Sequence, residues 1–457
     1  MHNAGNYRGL HLTSVMSKVA ERVLKVPFEK FVDVVDAFGQ NQWAFRRGRG
    51  CPDLVLLLVC SWLRDFQLRR KVGNFLSDIS GAFDRVDSEK LLYKMRRIGV
   101  CEDFLAFFRD YLRPRRAHVG VNGATSYEFV LENMVFQGTV FGPGLWNIFF
   151  ADVQGAAECG GFRERRFADD LSTSKSFNRN VDNETILDEL HACQQSVHEW
   201  GETNRVRFDP AKEEFVILSP EGGHGMTFRL LGPLIDPKLL MHECIEKLYR
   251  KAKAKSRALL RCRRFFGIFD LLVLFKAHVR SQVEWCYGAI FHAAPSKLAW
   301  LDSVQERFLC HIGVSETDAF MKFNLAPWKL RRDIGMLGVL WKLSRGKGHP
   351  DMLALFPLCV NGPNKLRTRS DHRRHARQFV NFCDGTQLSQ FSRSLFGMVR
   401  VWNVLPTELV ELESVKSFQK SLTVLAKRAC QDEAPNWSRM YSVDGLPFSL
   451  IVRYGFA

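Results

Sequence analysis

At 457 residues, 46% hydrophobic and 12% aromatic, the chain is too long for one core and too apolar for a disordered polymer; roughly two to four subdomains are expected. Its 65 Lys and Arg against 49 Asp and Glu leave a formal charge of +16, which disfavours a cationic partner and favours a polyanion, nucleic acid above all. The 12 cysteines show no Cys-x-x-Cys spacing, which excludes the common zinc and disulfide frames and points to reduced thiols.

The predicted elements run as follows. Val15, Val19, Val23, Leu24, Phe28, Phe31, Val32 and Val35 recur at helical spacing, predicting one or two amphipathic helices over 10–36 opened by Thr13-Ser14. Residues 42–50 are a basic, glycine-punctuated loop, and 53–63 return to an apolar helix. Residues 74–80 read as a buried strand carrying one acid, Asp78. Asp87-Ser88-Glu89 caps a helix reaching Ile98, with Gly99 as its stop; a further helix over 102–112 ends before Pro114, in the basic run 113–116. Asn122-Gly123, between 117–121 and 127–130, is a two-residue hairpin signal. Gln137-Gly138-Thr139 opens a turn into an apolar helix over 145–152. Phe167-Ala168-Asp169-Asp170 lies between two short apolar runs and suits a β-hairpin with both aspartates at its turn. Residues 215–218 and 227–231 are strand-like, so an α+β domain extends to about residue 235.

From Pro237 the pattern turns helical. Residues 242–266 form a helix with nine cations (Lys247, Arg250, Lys251, Lys253, Lys255, Arg257, Arg261, Arg263 and Arg264), followed by helices over 270–291 and 297–312. A linker-like stretch over 340–375 holds Gly346, Gly348 and Pro350, then Lys365-Leu366-Arg367-Thr368-Arg369. Helix resumes to about 430, before a weak tail. The longest apolar runs, 54–59 and 271–275, are far short of a membrane span, and the N-terminus has no signal-peptide pattern. An intracellular chain, nuclear or cytoplasmic and with no membrane partner, is expected.

The acids carry the chemistry. Adjacent carboxylates repel, so Asp169-Asp170 is either solvated or neutralised by a divalent cation. A lone acid in a buried strand, as at Asp78, needs a partner or a metal. Three aspartates on two neighbouring strands could hold two Mg²⁺ ions for phosphoryl transfer. A bland reading stands beside each feature: an Asp-Asp turn is often only a solvated loop, and a run of cations is often a solvated face.

The order of motifs resembles the reverse transcriptases of non-LTR (LINE-type) retrotransposons. Asn6-Tyr7-Arg8-Gly9-Leu10-His11-Leu12-Thr13-Ser14-Val15 is similar to their first block, and residues 42–50 to their fingers loop. Asp78-Ile79-Ser80-Gly81-Ala82-Phe83-Asp84-Arg85-Val86-Asp87 resembles polymerase motif A, Gln137-Gly138-Thr139-Val140-Phe141-Gly142-Pro143 motif B, and residues 167–170 motif C. Phe208-Asp209-Pro210-Ala211-Lys212 resembles motif D and Leu230-Leu231-Gly232 motif E. Further segments resemble the thumb (249–264, 275–291 and 301–312) and the C-terminal block (395–418, with Val401-Trp402-Asn403-Val404-Leu405-Pro406), so that most of residues 3–430 are covered.

The resemblance implies an α+β right-hand polymerase: fingers and palm over 1–235, a helical thumb over 236–340, a basic linker over 341–375, a helical C-terminal region over 376–430 and a tail over 431–457. It implies an RNA-directed DNA polymerase that takes an RNA template, a DNA primer or target DNA, and deoxynucleoside triphosphates. Two Mg²⁺ ions, with Mn²⁺ as a substitute, would be held by Asp78, the Ile79 carbonyl, Asp169 and Asp170. Lys212 would protonate the leaving pyrophosphate. Phe83 would be the steric gate, with Gln137 and Gly138 under the incoming nucleotide and Pro143 near the template. Arg46 or Arg47 would hold the triphosphate, and Lys251, Lys255 and Arg261 would contact nucleic-acid phosphates. Asp84 and Asp87 are expected to be a turn acid and a helix cap. The chain departs from the family at Gly9 and Gly144. No endonuclease module, RNase H acid set or cysteine-histidine knuckle is recognised, which leaves a truncated remnant that only binds RNA as the alternative, and a domesticated polymerase with another template as a third.

Overall fold

The computed structural model describes residues 11–132, 134–359, 375–443 and 451. Two segments singled out above, 6–10 of the first block and the cluster 365–369, lie outside them. The chain divides into two units, Met1–Cys51 with Lys71–Ile217, and Pro52–Arg70 with Leu218–Ala457.

Helix α1 (Val15–Val34) begins as expected: the Ser14 hydroxyl accepts from the Ser17 amide at 3.1 Å. Its buried face differs from the expected stripe. Phe28 and Val32 are buried together with Glu21, while Val15, Val19, Val23 and Val35 stand exposed. The reason is aromatic packing: the Phe28 ring meets Phe104, Phe108 and Phe141 at 5.7, 5.0 and 5.8 Å, which fixes the helix rotation. Helix α2 (Cys51–Gln67) buries ten residues around most of its circumference, so it needs partners on several sides. It finds them in the second unit, where Trp62 meets Phe228 and Leu56 lies against Gly288. The single 1–235 domain expected from sequence is therefore interrupted.

The first unit is built on a four-stranded sheet. Its elements are β1 (Arg70–Asp78), α3 (Ser88–Arg97), α4 (Glu102–Tyr111), β2 (Arg115–Ala117), β3 (Gly120–Val121), β4 (Ala124–Thr125), β5 (Phe129–Leu131), α5 (Gly142–Phe150), α6 (Val153–Ala157), β6 (Arg163–Phe167), β7 (Asp170–Asn178), α7 (Asn183–Asn204) and β8 (Glu214–Leu218). The sheet order is β6-β7-β1-β8. Helix α7 has no counterpart in the sequence reading, yet it covers one face: a Cβ on Gly73 of β1 would sit 2.9 Å from Ile186 of α7 and 3.0 Å from Phe177 of β7. Asp87 caps α3 by accepting from the Lys90 amide at 3.0 Å, and it also pairs with Arg205. The hairpin tip at Asn122 and Gly123, φ +49° and +84°, is the two-residue loop its sequence demands.

In the second unit a two-stranded hairpin, β9 (Phe228–Arg229) and β10 (Leu234–Ile235), precedes helix α8 (His242–Arg261). Gly232 in that hairpin loop, φ +119°, faces the Trp285 ring so closely that a Cβ would lie 2.6 Å from it. The helix expected over 270–291 is broken into Ile268–Phe275, a π-helical turn Lys276–Arg280, Ser281–Glu284 and Tyr287–Ile290. The stretch expected as linker carries helix through Ser344, from Trp328–Ser344, and again at Pro350–Leu355. Trp341 explains the extension, because its ring packs on Phe418 and its Nε1 donates to the Val410 carbonyl at 3.1 Å. In the C-terminal block, Asn403 clamps Phe379 with two 2.9 Å bonds, one to its amide and one to its carbonyl.

Candidate active site

Two contacts set the relation of β1 to β7. The Thr173 hydroxyl donates to the Phe75 carbonyl at 3.2 Å, and Phe177 lies against Gly73. The contacts climb β7 as they descend β1, so the strands run in opposite directions. Asp78, the last residue of β1, and Asp170, the first of β7, therefore share one end of the sheet. Side chains alternate between faces along a strand. Asp78 and Asp170 are each an odd number of residues from Gly73 and Phe177, which face α7, so both turn to the opposite face. Phe167 pairs with Asp170 in the β6–β7 hairpin, leaving Ala168 and Asp169 as the two-residue turn. The sequence reading put both aspartates in that turn; Asp170 instead begins the strand, because its pairing with Phe167 extends the ladder by one residue.

That turn is held from below. Ala168 has a left-handed backbone, φ +58°, a conformation that costs a residue bearing a Cβ. Its amide donates to Gln42 Oε1 at 3.1 Å, and its carbonyl accepts from Gln42 Nε2 at 3.3 Å and Trp146 Nε1 at 3.0 Å. Gln42 is fully buried, and its Oε1 also accepts from the Ala44 amide at 3.0 Å. The loop carrying it lies along β6: the Arg166 amide donates to Asn41 and the Trp43 amide to Arg166, both at 2.9 Å. Beneath, the wholly buried Arg166 pairs with Glu164 at 3.2 Å and donates to the carbonyls of Phe150 and Phe38.

The segment after β1 reaches the same place. Ile79 bridges Phe208, and the Asp209 amide donates to the Asp78 carbonyl at 2.9 Å. This docks Lys212 beside the acid, and its Nζ forms an ion pair with Asp78, with Asp209 3.6 Å away. The hydrogen bond to Asp78 holds the Lys212 pKa above its ordinary value, against the pull of partial burial. Phe83, half-buried, stacks on Trp146 of α5 at 5.7 Å, and its carbonyl accepts from the Val135 amide at 2.8 Å. Asp84, in the short helical turn 82–85, accepts from Gln137 Nε2 at 3.2 Å.

Gln137 and Gly138 are held on both sides. The Gln137 amide donates to His11 Nδ1 at 3.0 Å, and Gly138, φ +86°, has no room for a Cβ beyond 3.3 Å from the His11 carbonyl. Glu21 accepts from the amides of Val140 and Phe141 at 2.6 and 3.2 Å, a carboxylate at the start of α5 where the helix dipole favours one. Pro143 sits in the first turn of α5, partly exposed. The two arginines separate: Arg46 pairs with Asp36 at 2.9 Å and donates to the Gly39 carbonyl, whereas Arg47 is exposed. Arg49 bonds the carbonyls of Gln40 and Gln42, and burial draws its pKa down to about 10. Lys251, Lys255 and Arg261 are exposed on α8, in the second unit.

Among the described residues no group of three or more His, Cys, Asp or Glu side chains is drawn together tightly enough to hold a metal ion. Asp78 is paired with the Lys212 ammonium. The donor chemistry suits a hard divalent cation all the same: carboxylate oxygens and a peptide carbonyl, with no thiolate or imidazole. Three positioning residues escaped the sequence reading. Glu21 could have been found, since an acid seven and eleven residues before Phe28 and Val32 lies on their face of the helix. Gln42 and Trp146 carry no such local signal.

Residues 2–255 match the family model for reverse transcriptase (RNA-dependent DNA polymerase), a family that works with divalent metal ions. The chain is 25% identical over 348 residues to the RNA-directed DNA polymerase from mobile element jockey of Drosophila funebris, covering 72% of this chain and 37% of that protein. It is 27% identical over 353 residues to the jockey polymerase of Drosophila melanogaster, with the same coverage of 72% and 37%. With the probable RNA-directed DNA polymerase from transposon X-element of Drosophila melanogaster it shares 24% identity over 306 residues, 62% of this chain and 32% of that one. The chain thus spans 37% of the length of the jockey polymerases. Among solved structures, apo telomerase from Candida tropicalis aligns with 67% of this chain and 53% of its own, at a TM-score of 0.40 and 11% identity. No described helix is long and apolar enough to cross a membrane. With the family model covering more than half of its length, the chain belongs to the reverse transcriptase family.

Proposed function

We propose that this chain is an RNA-directed DNA polymerase of a retrotransposon, joining deoxynucleoside triphosphates to a primer 3′-hydroxyl along an RNA template. The observation that carries the reading is the position of Asp78, Asp169 and Asp170 at one end of adjoining strands, Asp78 and Asp170 on one face. Asp78, the Ile79 carbonyl, Asp169 and Asp170 would hold two Mg²⁺ ions; when bound, these would supply charge stabilisation at the attacking and leaving oxygens.

The chain's own residues do the rest. The Gln42 amide fixes the backbone before Asp169, so the acids keep one orientation through a turnover. Lys212, its proton held on Nζ beside Asp78, would give that proton to the departing pyrophosphate. Phe83, backed by Trp146, crowds a ribose 2′-hydroxyl and admits the deoxy sugar. Gly138 lets the backbone approach the nucleotide closely. Arg46 is engaged with Asp36, which leaves the exposed Arg47 to meet the triphosphate. On α8, Lys251, Lys255 and Arg261 meet nucleic-acid phosphates. Primer extension on poly(rA)/oligo(dT) with dTTP and Mg²⁺ tests this: elongated product that vanishes in Asp169→Asn supports the reading, and no product from the folded parent protein overturns it.

A further inference from the structure

The connection leaving α8 carries aromatic rings that the polymerase reading does not use. Residues 261–270, Arg-Cys-Arg-Arg-Phe-Phe-Gly-Ile-Phe-Asp, are exposed without exception. Phe265 is 68% exposed, Phe266 45% and Phe269 66%. Phenylalanine is among the residues most often buried, and a contiguous exposed apolar patch marks a binding surface. The helix that follows does not need these rings, since Ile268–Phe275 buries Leu271, Leu272 and Phe275 instead.

Arg261, Arg263 and Arg264 interleave with the rings, and the Arg264 guanidinium lies 4.7 Å from the Phe265 ring centroid. The segment holds a single acid, Asp270, in the first turn of the next helix with its carboxylate beside Gly267, against three arginines. Flat apolar rings among arginines that outnumber the acid of the segment match the two chemistries of an unpaired nucleic-acid strand, base faces and phosphates. Further exposed cations, Lys255 and Lys251, precede it on the helix, over about 15 Å of its length.

We propose that residues 261–269 form a stacking platform for single-stranded nucleic acid, with Phe265 and Phe269 under bases and Arg261, Arg263 and Arg264 on the flanking phosphates. The assignment rests on the polymerase reading only for which strand arrives there, the unpaired template being the natural one. Stacking needs free base faces, so a duplex, whose bases are already stacked, gains little from the platform.

The test is fluorescence anisotropy of the full chain with labelled oligo(U), oligo(dT) and a duplex, each about 20 units long. Phe265→Ala/Phe269→Ala should weaken single-strand binding by about 30-fold or more and duplex binding by less than about 3-fold. The log–log salt slope should not move, because no charge is lost. Phe265→Trp should bind at least as tightly as the parent. Both rings are solvent-exposed, so an unaltered melting temperature verifies the fold of each variant. Unchanged single-strand affinity, or an equal loss on duplex, overturns the platform. So does a double variant that binds oligonucleotides normally but no longer floats with anionic phosphatidylserine vesicles, which would make the patch a membrane contact. Failure of the polymerase reading is distinguishable: a parent protein that extends no primer yet loses single-strand binding in the double variant keeps the platform and loses the enzyme.

Discussion

Replacing Gln42 by Met removes every polar contact of the clamp while nearly conserving volume. Two amides, those of Ala44 and Ala168, lose their acceptor, whereas the Ala168 carbonyl keeps Trp146 Nε1. A buried donor left unpaired costs about 1–3 kcal/mol, so the variant should lose about 2–5 kcal/mol, or roughly 5–15 °C of melting temperature for a unit of this size. The functional cost is separate. Asp169 follows Ala168 directly, and the left-handed Ala168 backbone is held mainly by the lost bonds. Loosening a catalytic group by about 1 Å costs up to about 100-fold in rate. At a temperature where both proteins are folded, single-nucleotide primer extension should show kcat down about 10- to 100-fold, with KM for the nucleotide within about 3-fold. A variant that melts early yet retains the parental kcat would refute the reasoning, because Gln42 would then brace the fold without aiming the acids.

Asp169→Asn should abolish extension on poly(rA)/oligo(dT) while melting within about 2 °C of the parent, since the exchange is isosteric in a surface turn. Phe83→Val should raise the ratio of ribo- to deoxynucleotide incorporation and, through loss of the Trp146 stack, cost about 0.5–1.5 kcal/mol beyond the lost area; unchanged discrimination would return Phe83 to an ordinary packing role. Lys251→Gln/Lys255→Gln/Arg261→Gln should flatten the log–log salt dependence of template binding by up to about 3 units, alike on every sequence. His292 is buried with its Nε2 at 2.9 Å from the Leu239 carbonyl, and burial draws its pKa from 6.5 down to about 4. The unfolded state therefore takes up a proton below pH 6.5 that the folded state refuses, so stability falls as pH drops from there to about 4, by up to about 3 kcal/mol. His292→Gln should remove that part of the slope in denaturant titrations run across the interval.

Where a structure follows from contacts within a few residues, it was legible in the chain itself. The Ser14 and Asp87 caps, the Asn122-Gly123 loop, the existence of a hairpin around residues 167–170 (though not its turn residues) and the basic helix α8 all depend on local backbone chemistry. The order of motifs likewise identified the family. What tertiary structure decided is which face, partner and unit each piece would take. The exposed valines of α1 obey the same periodicity as its buried residues, and only the ring cluster around Phe28 selects between them. Helix α2 lies between two segments of the first unit yet packs with the second, because burying an apolar circumference requires partners distant in the chain. Gln42 is separated from Ala168 by 126 positions and Lys212 from Asp78 by 134. A side-chain amide or ammonium has no periodicity that reveals its partner; its role exists only once a sheet has brought two remote backbones within hydrogen-bonding distance.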